Sequence, residues 1–286
     1  MDFKREVAKI KMFGQIVPQP QILMDFLGFE KHVRQIREKR GVSIWPGWYD
    51  HAAYYVNDLP PEKIYCDKEE VIIPASVKAA DYELELACLV TESVLIKSFE
   101  QALDFFQKSC LITILNDWSA RDVQLKDMLG LGPAHSKAII GKSLGPRFIS
   151  AEELTIDDYG VFNMSMRLKV NGEERLSSNY NSIYYEHPQT GKKQAWTFPR
   201  LMHFLGEYNI SLHPGYLLGS GTIGSGCIAE FMAKLDPATG NEIDSARYPW
   251  LKDGDVVQLE VEKIGSLENK VKVLKDAKIL DPSMIK

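Results

Sequence analysis

The feature that most constrains the fold is residues 81–90, where acidic and apolar side chains alternate and then give way to an apolar run. Strict alternation predicts a β-strand whose successive side chains point to opposite faces. Glu83 and Glu85 then share one face, with their Cα atoms roughly 7 Å apart. Like charges at that spacing repel unless water or a cation lies between them. The acidic face therefore meets either solvent, as on an ordinary edge strand, or a hard cation such as Mg²⁺ or Ca²⁺.

Composition excludes several classes of protein. The chain has 286 residues and a formal net charge of −5, which favours neither a nucleic-acid surface nor an anionic membrane. No apolar run reaches the about 18 residues of a membrane span, and the N-terminus lacks the apolar segment of a signal peptide. The four cysteines form no Cys-x-x-Cys pair, so common zinc and redox motifs are absent. We expect a cytoplasmic protein.

The pattern of elements favours a mixed, β-rich α+β architecture. Apolar residues at helical spacing predict helices at 26–37, 98–108 and 199–209, and Asp25 stands where an N-cap would stand. Asn171-Gly172, between alternating runs, predicts a hairpin turn. Many short strands without a β-α-β rhythm argue against a Rossmann fold.

Three polar segments are candidate sites, each with an ordinary structural alternative. Residues 116–124 directly follow an apolar strand and are either aimed by it at a ligand or form a solvated turn. The glycine-rich residues 219–226 allow close approach of a ligand or form a flexible loop. Residues 141–143, Gly-Lys-Ser, resemble part of a phosphate loop, but the upstream glycine that such a loop requires is missing, which excludes a nucleotide site. His32 alone is typical of a packing residue.

Several stretches together resemble the fumarylacetoacetate hydrolase family. Each is weak by itself, but they occur in family order over nearly the whole chain. They are residues 25–32, 81–87, 116–124, 141–143, 221–223 and 265–269. The resemblance implies a β-rich mixed β-sandwich roll and one catalytic domain over residues 1–286, in which a helix-and-loop portion, 1–70, packs on a β-rich core, 71–286.

The resemblance also implies roles for individual residues. A divalent cation, Mg²⁺ or Ca²⁺ with Mn²⁺ as a further option, would bind carboxylates, since hard cations prefer oxygen ligands. A histidine would act as general base, with its imidazole oriented by a carboxylate. Polar groups would stabilise developing negative charge. The implied residues are Asp25, Glu83, Glu85 and Asp117 for the metal; His32 and Glu230 for the base and its partner; Arg121, Gln124 and Lys142 for the oxyanion; and Tyr55 and Thr222 for the substrate.

The chain departs from the family pattern at the acyl half of the substrate. Leu27 stands where the animal enzyme of this family, fumarylacetoacetase, has a substrate-binding tyrosine. The arginine that binds the fumaryl carboxylate there has no counterpart in register, although Arg34, Arg37 and Arg40 lie nearby. The resemblance therefore constrains the type of reaction more than it constrains the acyl group of the substrate.

The expected function is metal-dependent hydrolysis of a carbon–carbon bond in a 1,3-diketo acid, such as fumarylacetoacetate or an acylpyruvate, as in aromatic amino acid catabolism. We expect a small-molecule substrate, a homodimer, and no nucleic-acid or membrane partner. One alternative is a decarboxylase or isomerase of oxaloacetate or a hydroxymuconate on the same scaffold. A second is a non-catalytic, metal-stabilised binding protein.

Overall fold

The structure is a computed structural model that describes residues 8–232, 234–235, 242–244 and 246–275. The α-helices are α1 (Glu30–Lys39), α2 (Phe99–Ser109), α3 (Arg121–Asp127), α4 (Ala134–Ala138) and α5 (Phe198–Glu207). Short 3₁₀ helices are Pro46–Tyr49, Pro61–Lys63, Ala151–Glu153, Tyr180–Ile183 and Ile228–Phe231. Among the described residues, no helix combines the length and apolar character needed to cross a membrane.

The strands, in chain order, are β1 (Lys9–Met12), β2 (Gln15–Pro18), β3 (Ile22–Phe26), β4 (Tyr54–Asp58), β5 (Ile64–Tyr65), β6 (Glu70–Ile73), β7 (Ala80–Asp81), β8 (Leu84–Val90), β9 (Cys110–Asp117), β10 (Ser119–Ala120), β11 (Lys142–Ser150), β12 (Ser165–Val170), β13 (Glu173–Asn179), β14 (Tyr184–Glu186), β15 (Lys193–Ala195), β16 (Tyr216–Gly219), β17 (Lys234–Leu235), β18 (Glu242–Asp244), β19 (Val256–Val261) and β20 (Gly265–Val273).

Two mixed sheets form the body of the protein. The larger sheet has seven strands in the order β4-β3-β16-β8-β9-β11-β5, and the smaller has five in the order β13-β12-β19-β20-β6. They meet where β20 packs on β11 and β19 packs on β9. This arrangement confirms the predicted β-rich α+β architecture. Asn171 and Gly172 both have positive φ at the β12–β13 turn, as a type I′ hairpin requires.

Strand β8 lies between two apolar clusters, and this explains its sequence. Leu84 and Leu86 pack into the main core, while Ala87 and Leu89 belong to a smaller cluster on the opposite face of the sheet. Alternating side chains point to opposite faces, so Glu85 shares the face of the smaller cluster. The acidic face is therefore buried rather than solvated, and Glu85 has 0% exposure.

Two predictions about the N-terminal part are corrected. Asp25 is not a helix N-cap: it lies in β3, and α1 begins only at Glu30, with Phe29 as N-cap and no side-chain cap. The apolar spacing that suggested an earlier start includes Phe26, which is a strand residue. The first 70 residues also contribute three strands to the larger sheet, β3, β4 and β5, rather than only a helix and loops.

Candidate active site

Three strands of the larger sheet, and the residue before one of them, bring four carboxylates to one point. Asp25 lies on β3, Glu85 on β8 and Asp117 at the end of β9, while Glu83 directly precedes β8. One oxygen from each of these side chains lies within 4.8 Å of the others. The structure therefore brings together the four carboxylates that the resemblance implied as metal ligands.

A missing side chain on β16 allows this convergence. β16 lies between β3 and β8, and Gly219 is the register partner of both Asp25 and Ala87. A Cβ atom at position 219 would lie 2.1 Å from Asp25 Oδ1, far inside van der Waals contact. Glycine is thus required here so that the Asp25 carboxylate can reach across β16 toward Glu85.

The cluster fits a divalent cation. Asp25 Oδ1 is buried and has no hydrogen-bond partner, although buried polar atoms almost always have one. Every candidate ligand in this cluster is a carboxylate, which is the chemistry that Mg²⁺, Ca²⁺ and Mn²⁺ prefer. A cation would partner the orphaned oxygen and offset the repulsion among the carboxylates.

The pKa values within the cluster diverge because neighbouring charges differ. Burial and the negative charge of Asp117 raise the pKa of Asp25 to about 8. Burial, together with Asp25, likewise raises the pKa of Glu85 well above its usual range. Burial would also raise the pKa of Glu83, but Lys137 and Arg121 hold it well below its usual range. The Asp25–Glu85 side therefore keeps a proton near neutral pH, while the Glu83 side is anionic.

Three buried cations surround the anionic side. Arg121 donates to Asp81 Oδ2 at 2.8 Å, to Gln124 Oε1 at 2.9 Å and also to Glu83. Lys137 Nζ donates to Asp117 Oδ2 at 2.6 Å and to Glu83. Lys142 Nζ donates to the other oxygen of Asp117 and, at 2.6 Å, to the Lys137 carbonyl.

His32 and Glu230 form a buried pair beside the cluster. His32 Nδ1 lies 3.0 Å from Glu230 Oε1, and the backbone N–H groups of Ser225 and Cys227 donate to Glu230 at 2.8 and 3.0 Å. Since an ionised carboxylate only accepts hydrogen bonds, the Nδ1 atom of His32 carries the proton. Its Nε2 atom is left with a lone pair that can accept a proton.

A cavity of about 810 Å³ joins these groups. Eight of the eleven predicted site residues line it: Asp25, His32, Tyr55, Glu83, Glu85, Arg121, Gln124 and Thr222. The other three lie behind this lining. Glu230 contacts His32, Lys142 contacts Asp117, and Asp117 Oδ2 accepts a hydrogen bond from the Tyr55 hydroxyl at 2.7 Å.

Lys137 is the functional candidate that sequence reasoning missed. It lies on α4, lines the cavity and contacts two of the four carboxylates. Lys142 has 1% exposure, contacts Asp117 and does not line the cavity, so its predicted role toward an oxyanion stays a prediction. The signal that could have pointed to Lys137 was a lysine on a short helix after Gly132-Pro133.

Arg40 is the one of the three nearby arginines that lines the cavity. Arg34 pairs with Glu30 at 2.7 Å, and Arg37 donates to the Ser43 carbonyl while its guanidinium lies 5.2 Å from the Trp45 ring centre. Partial burial and repulsion from Arg121 and Arg37 lower the pKa of Arg40. An anion at the cavity mouth would therefore be attracted to Arg40.

The fold and this site define a class of β-rich enzymes with a carboxylate cluster and a His–Glu pair. The family model for the fumarylacetoacetate (FAA) hydrolase C-terminal domain matches residues 21–272. The chain therefore belongs to the fumarylacetoacetate hydrolase family, and its fold is of that type.

The proteins that this chain resembles include enzymes named for different reactions. An uncharacterised protein of Methanocaldococcus jannaschii is 25% identical, over 86% of this chain and 88% of its own length. A mitochondrial oxaloacetate tautomerase of Bos taurus is 25% identical, over 82% of this chain and 67% of its own length. The solved structure of fumarylpyruvate hydrolase from Pseudomonas aeruginosa, in complex with Mn²⁺ and pyruvate, is 16% identical, with a TM-score of 0.63 over 96% of this chain and 100% of that one.

Proposed function

We propose that the chain is a metal-dependent hydrolase that cleaves a carbon–carbon bond in a 1,3-diketo acid, such as an acylpyruvate or fumarylacetoacetate. The observation that carries the proposal is the buried His32–Glu230 pair at 3.0 Å, next to four converging carboxylates. A tautomerase needs a group that moves a proton between carbon and oxygen. A hydrolase needs, in addition, a base that activates water, and the oriented imidazole supplies it.

His32 begins the reaction by taking a proton from water at Nε2. The resulting imidazolium is stabilised by Glu230, whose charge is held by the Ser225 and Cys227 amides. The water oxygen bonds to the acyl carbonyl carbon, and the bond from that carbon to the neighbouring methylene breaks. The electron pair leaves on the methylene carbon, which takes up a proton. An acylpyruvate and water thus give a carboxylic acid and pyruvate.

Lys137 and Arg121 are placed to offset the charge that develops on the substrate. An ammonium group has three N–H donors, and the carboxylates of Glu83 and Asp117 engage two of those of Lys137. The remaining donor is available to an oxyanion in the cavity. Fixed donors in a water-poor site stabilise such charge more strongly than water does.

Asp25, Glu83, Glu85 and Asp117 would hold the cation, which we propose to be Mg²⁺, Ca²⁺ or Mn²⁺. When bound, it supplies Lewis-acid stabilisation of substrate oxygens and of an enolate. Thr222 Oγ1 and the Gly221 N–H donate to Glu85 at 3.2 and 3.1 Å and so orient one of these ligands. We also propose a cytoplasmic homodimer of one catalytic domain; light scattering tests the dimer, and metal analysis identifies the ion.

The proposal is tested by measuring acid release from acylpyruvates with added Mg²⁺ or Mn²⁺. We expect His32→Ala to lower kcat at least tenfold, about 1.4 kcal/mol of barrier, and Glu230→Gln to lower it while leaving the fold intact. Circular dichroism and thermal melting serve as controls for folding. A loss below tenfold in His32→Ala would show that His32 is not the base.

The second candidate is a tautomerase, decarboxylase or isomerase of a 2-oxo acid. The similarity to the bovine oxaloacetate tautomerase favours it. A keto–enol proton shift needs a cation that stabilises the enolate, but not necessarily a base that activates water. Oxaloacetate turnover without cleavage of any acylpyruvate would select this alternative. A non-catalytic binding protein is the third candidate; it would be stabilised by metal while turning over neither substrate.

A further inference from the structure

The cavity changes character between its inner and outer parts. The carboxylates, Lys137 and the His32 ring form the inner, polar end. Away from this end the lining includes the charged residues Lys39, Arg40 and Asp122. The apolar side chains there come from the loop between β3 and α1, from α1, from the loop after α1, from α3 and its C-cap, and from the loop before β19. They are Leu27, Ile36, Trp45, Leu125, Met128 and Trp250.

The cavity is larger than a short diketo acid would fill. Cavities of about 300–1,000 Å³ typically bury ligands of drug size and are mostly apolar with a few placed polar groups. At about 810 Å³, this cavity lies in the upper part of that range. A substrate with only a methyl group on its acyl carbon would leave the outer wall in contact with water.

Two wall residues show that no described part of the chain covers the outer part. Leu125 is 55% exposed and Met128 is 44% exposed, although both line the cavity. Covering apolar surface is favourable by roughly 25 cal/mol per Å². Because this surface is continuous with the reacting end, the group that can cover it is the substituent on the substrate's own acyl carbon.

We propose that the preferred substrate carries an extended alkyl or aryl acyl group, which lies along the Trp45, Leu125 and Met128 wall. This inference rests on the proposed function, since it assigns the acyl half of that same substrate. Leu27, which replaces a polar tyrosine of the family pattern, lies on the same apolar wall. Arg40 favours instead a second carboxylate on the acyl group. It is exposed at the mouth, where a hydrated guanidinium binds an anion weakly, so the apolar wall outweighs it.

The test compares acetylpyruvate, hexanoylpyruvate, benzoylpyruvate and fumarylpyruvate with the Mg²⁺-loaded protein. Burial of one methylene is worth about 0.8 kcal/mol, about fourfold, so we expect kcat/KM to rise at least tenfold from acetyl to hexanoyl. The hexanoyl or benzoyl compound should also exceed the fumaryl compound. A flat series, or a preference for fumarylpyruvate, overturns the inference.

A pair of variants assigns the effect to the cavity wall. Leu125→Asp should lower kcat/KM for hexanoylpyruvate at least tenfold more than for acetylpyruvate, because it places a charge beside the acyl chain. Leu129→Asp is the matched control: Leu129 is 91% exposed, lies in the turn just after α3, the helix that carries Leu125, and does not line the cavity. An equal loss for both substrates in Leu125→Asp, or the same selective loss in Leu129→Asp, contradicts the assignment.

Binding of a non-cleavable probe separates this inference from the proposed reaction. Oxamate and N-hexyloxamate share the polar head and differ in the tail, so calorimetry with Mg²⁺ should show at least tenfold tighter binding of the hexyl compound. If no acylpyruvate is cleaved but the hexyl compound binds more tightly, the hydrolase proposal fails and the apolar acyl site stands. Equal affinities overturn the acyl site, whatever the reaction.

Discussion

At the scale of single residues, the site depends on a balance of buried charges. Asp117 illustrates it, because Lys137, Lys142 and the Tyr55 hydroxyl all donate to its two oxygens. A buried carboxylate is tolerated only when it is paired or hydrogen-bonded. Lys142, which does not reach the cavity, therefore acts on the site by fixing Asp117 and the Lys137 carbonyl.

Lys142→Met should destabilise the protein by about 3–5 kcal/mol, the usual cost of breaking a buried ion pair. The loss should be smaller in Mn²⁺ than in a chelator, since a bound cation offsets the charge that Lys142 no longer balances. Urea unfolding in the two conditions measures both effects. Lys108→Met is the control, because Lys108 pairs with Asp104 on the surface with a 71% exposed side chain. If Lys142→Met lowers the free energy of unfolding equally with and without metal, Lys142 does not act on the metal site.

Some residues of the site could be predicted from local sequence patterns, and others could not. Alternation of Glu83 and Glu85 with apolar residues indicated a face that is either solvated or bound to a cation. His32 and Glu230 are 198 positions apart, and no local pattern joins them; only the family resemblance paired them. Lys137 was missed because its importance comes from how α4 packs on β4 and β10, which no spacing in the sequence reveals.

At the scale of elements, the larger sheet brings the four candidate metal ligands together, and its strand order was not predictable. β3 and β8 are far apart in sequence, but β16 joins them, pairing parallel with β3 and antiparallel with β8. The sequence predicted the strand-rich architecture and the long apolar strands. It misassigned Asp25 and Phe26 to a helix because β3 has only five residues and its apolar positions continue into those of α1.

Gly219→Ala should weaken metal binding at least tenfold without unfolding the protein. The new Cβ atom would overlap Asp25 Oδ1 at 2.1 Å, so the carboxylate must turn away from Glu85. Calorimetry with Mn²⁺ measures the affinity, and thermal melting in a chelator reports on the fold. Gly130→Ala is a suitable control, because its Cβ atom would have Asp127 O as its nearest neighbour, at 3.9 Å. Unchanged Mn²⁺ affinity in Gly219→Ala would mean that Asp25 is not a ligand.

At the scale of the whole molecule, the carboxylate cluster should couple stability to pH and to metal. The candidate ligands come from three strands of the seven-stranded sheet and the residue before one of them, so a cation there would tie together much of the larger sheet. A ligand that binds only the folded state stabilises it by about 2.7 kcal/mol at a hundredfold excess over Kd. Without metal, protons bound to the carboxylates reduce part of the repulsion among them.

The metal-free protein should therefore lose stability as pH rises from about 4 to 8. The pKa of Asp25 is about 8 in the folded state against an ordinary value of 3.8, so within this window the folded state binds more protons than the unfolded state. The free energy of unfolding then falls with pH, by at most about 1.4 kcal/mol per pH unit for one proton. Urea unfolding in a chelator at several pH values measures the slope.

Asp25→Asn and added Mn²⁺ should each flatten this dependence, for different reasons. The amide removes the titrating group, so the difference in slope between the variant and the native chain isolates Asp25 from the histidines and the other carboxylates. Mn²⁺ replaces the proton, so the stabilisation that it confers should grow as pH rises toward 8 in the native chain and be much smaller in Asp25→Asn. If the native chain and the variant show the same slope in chelator, Asp25 does not carry the coupling. If Mn²⁺ stabilises both equally, the ion binds elsewhere.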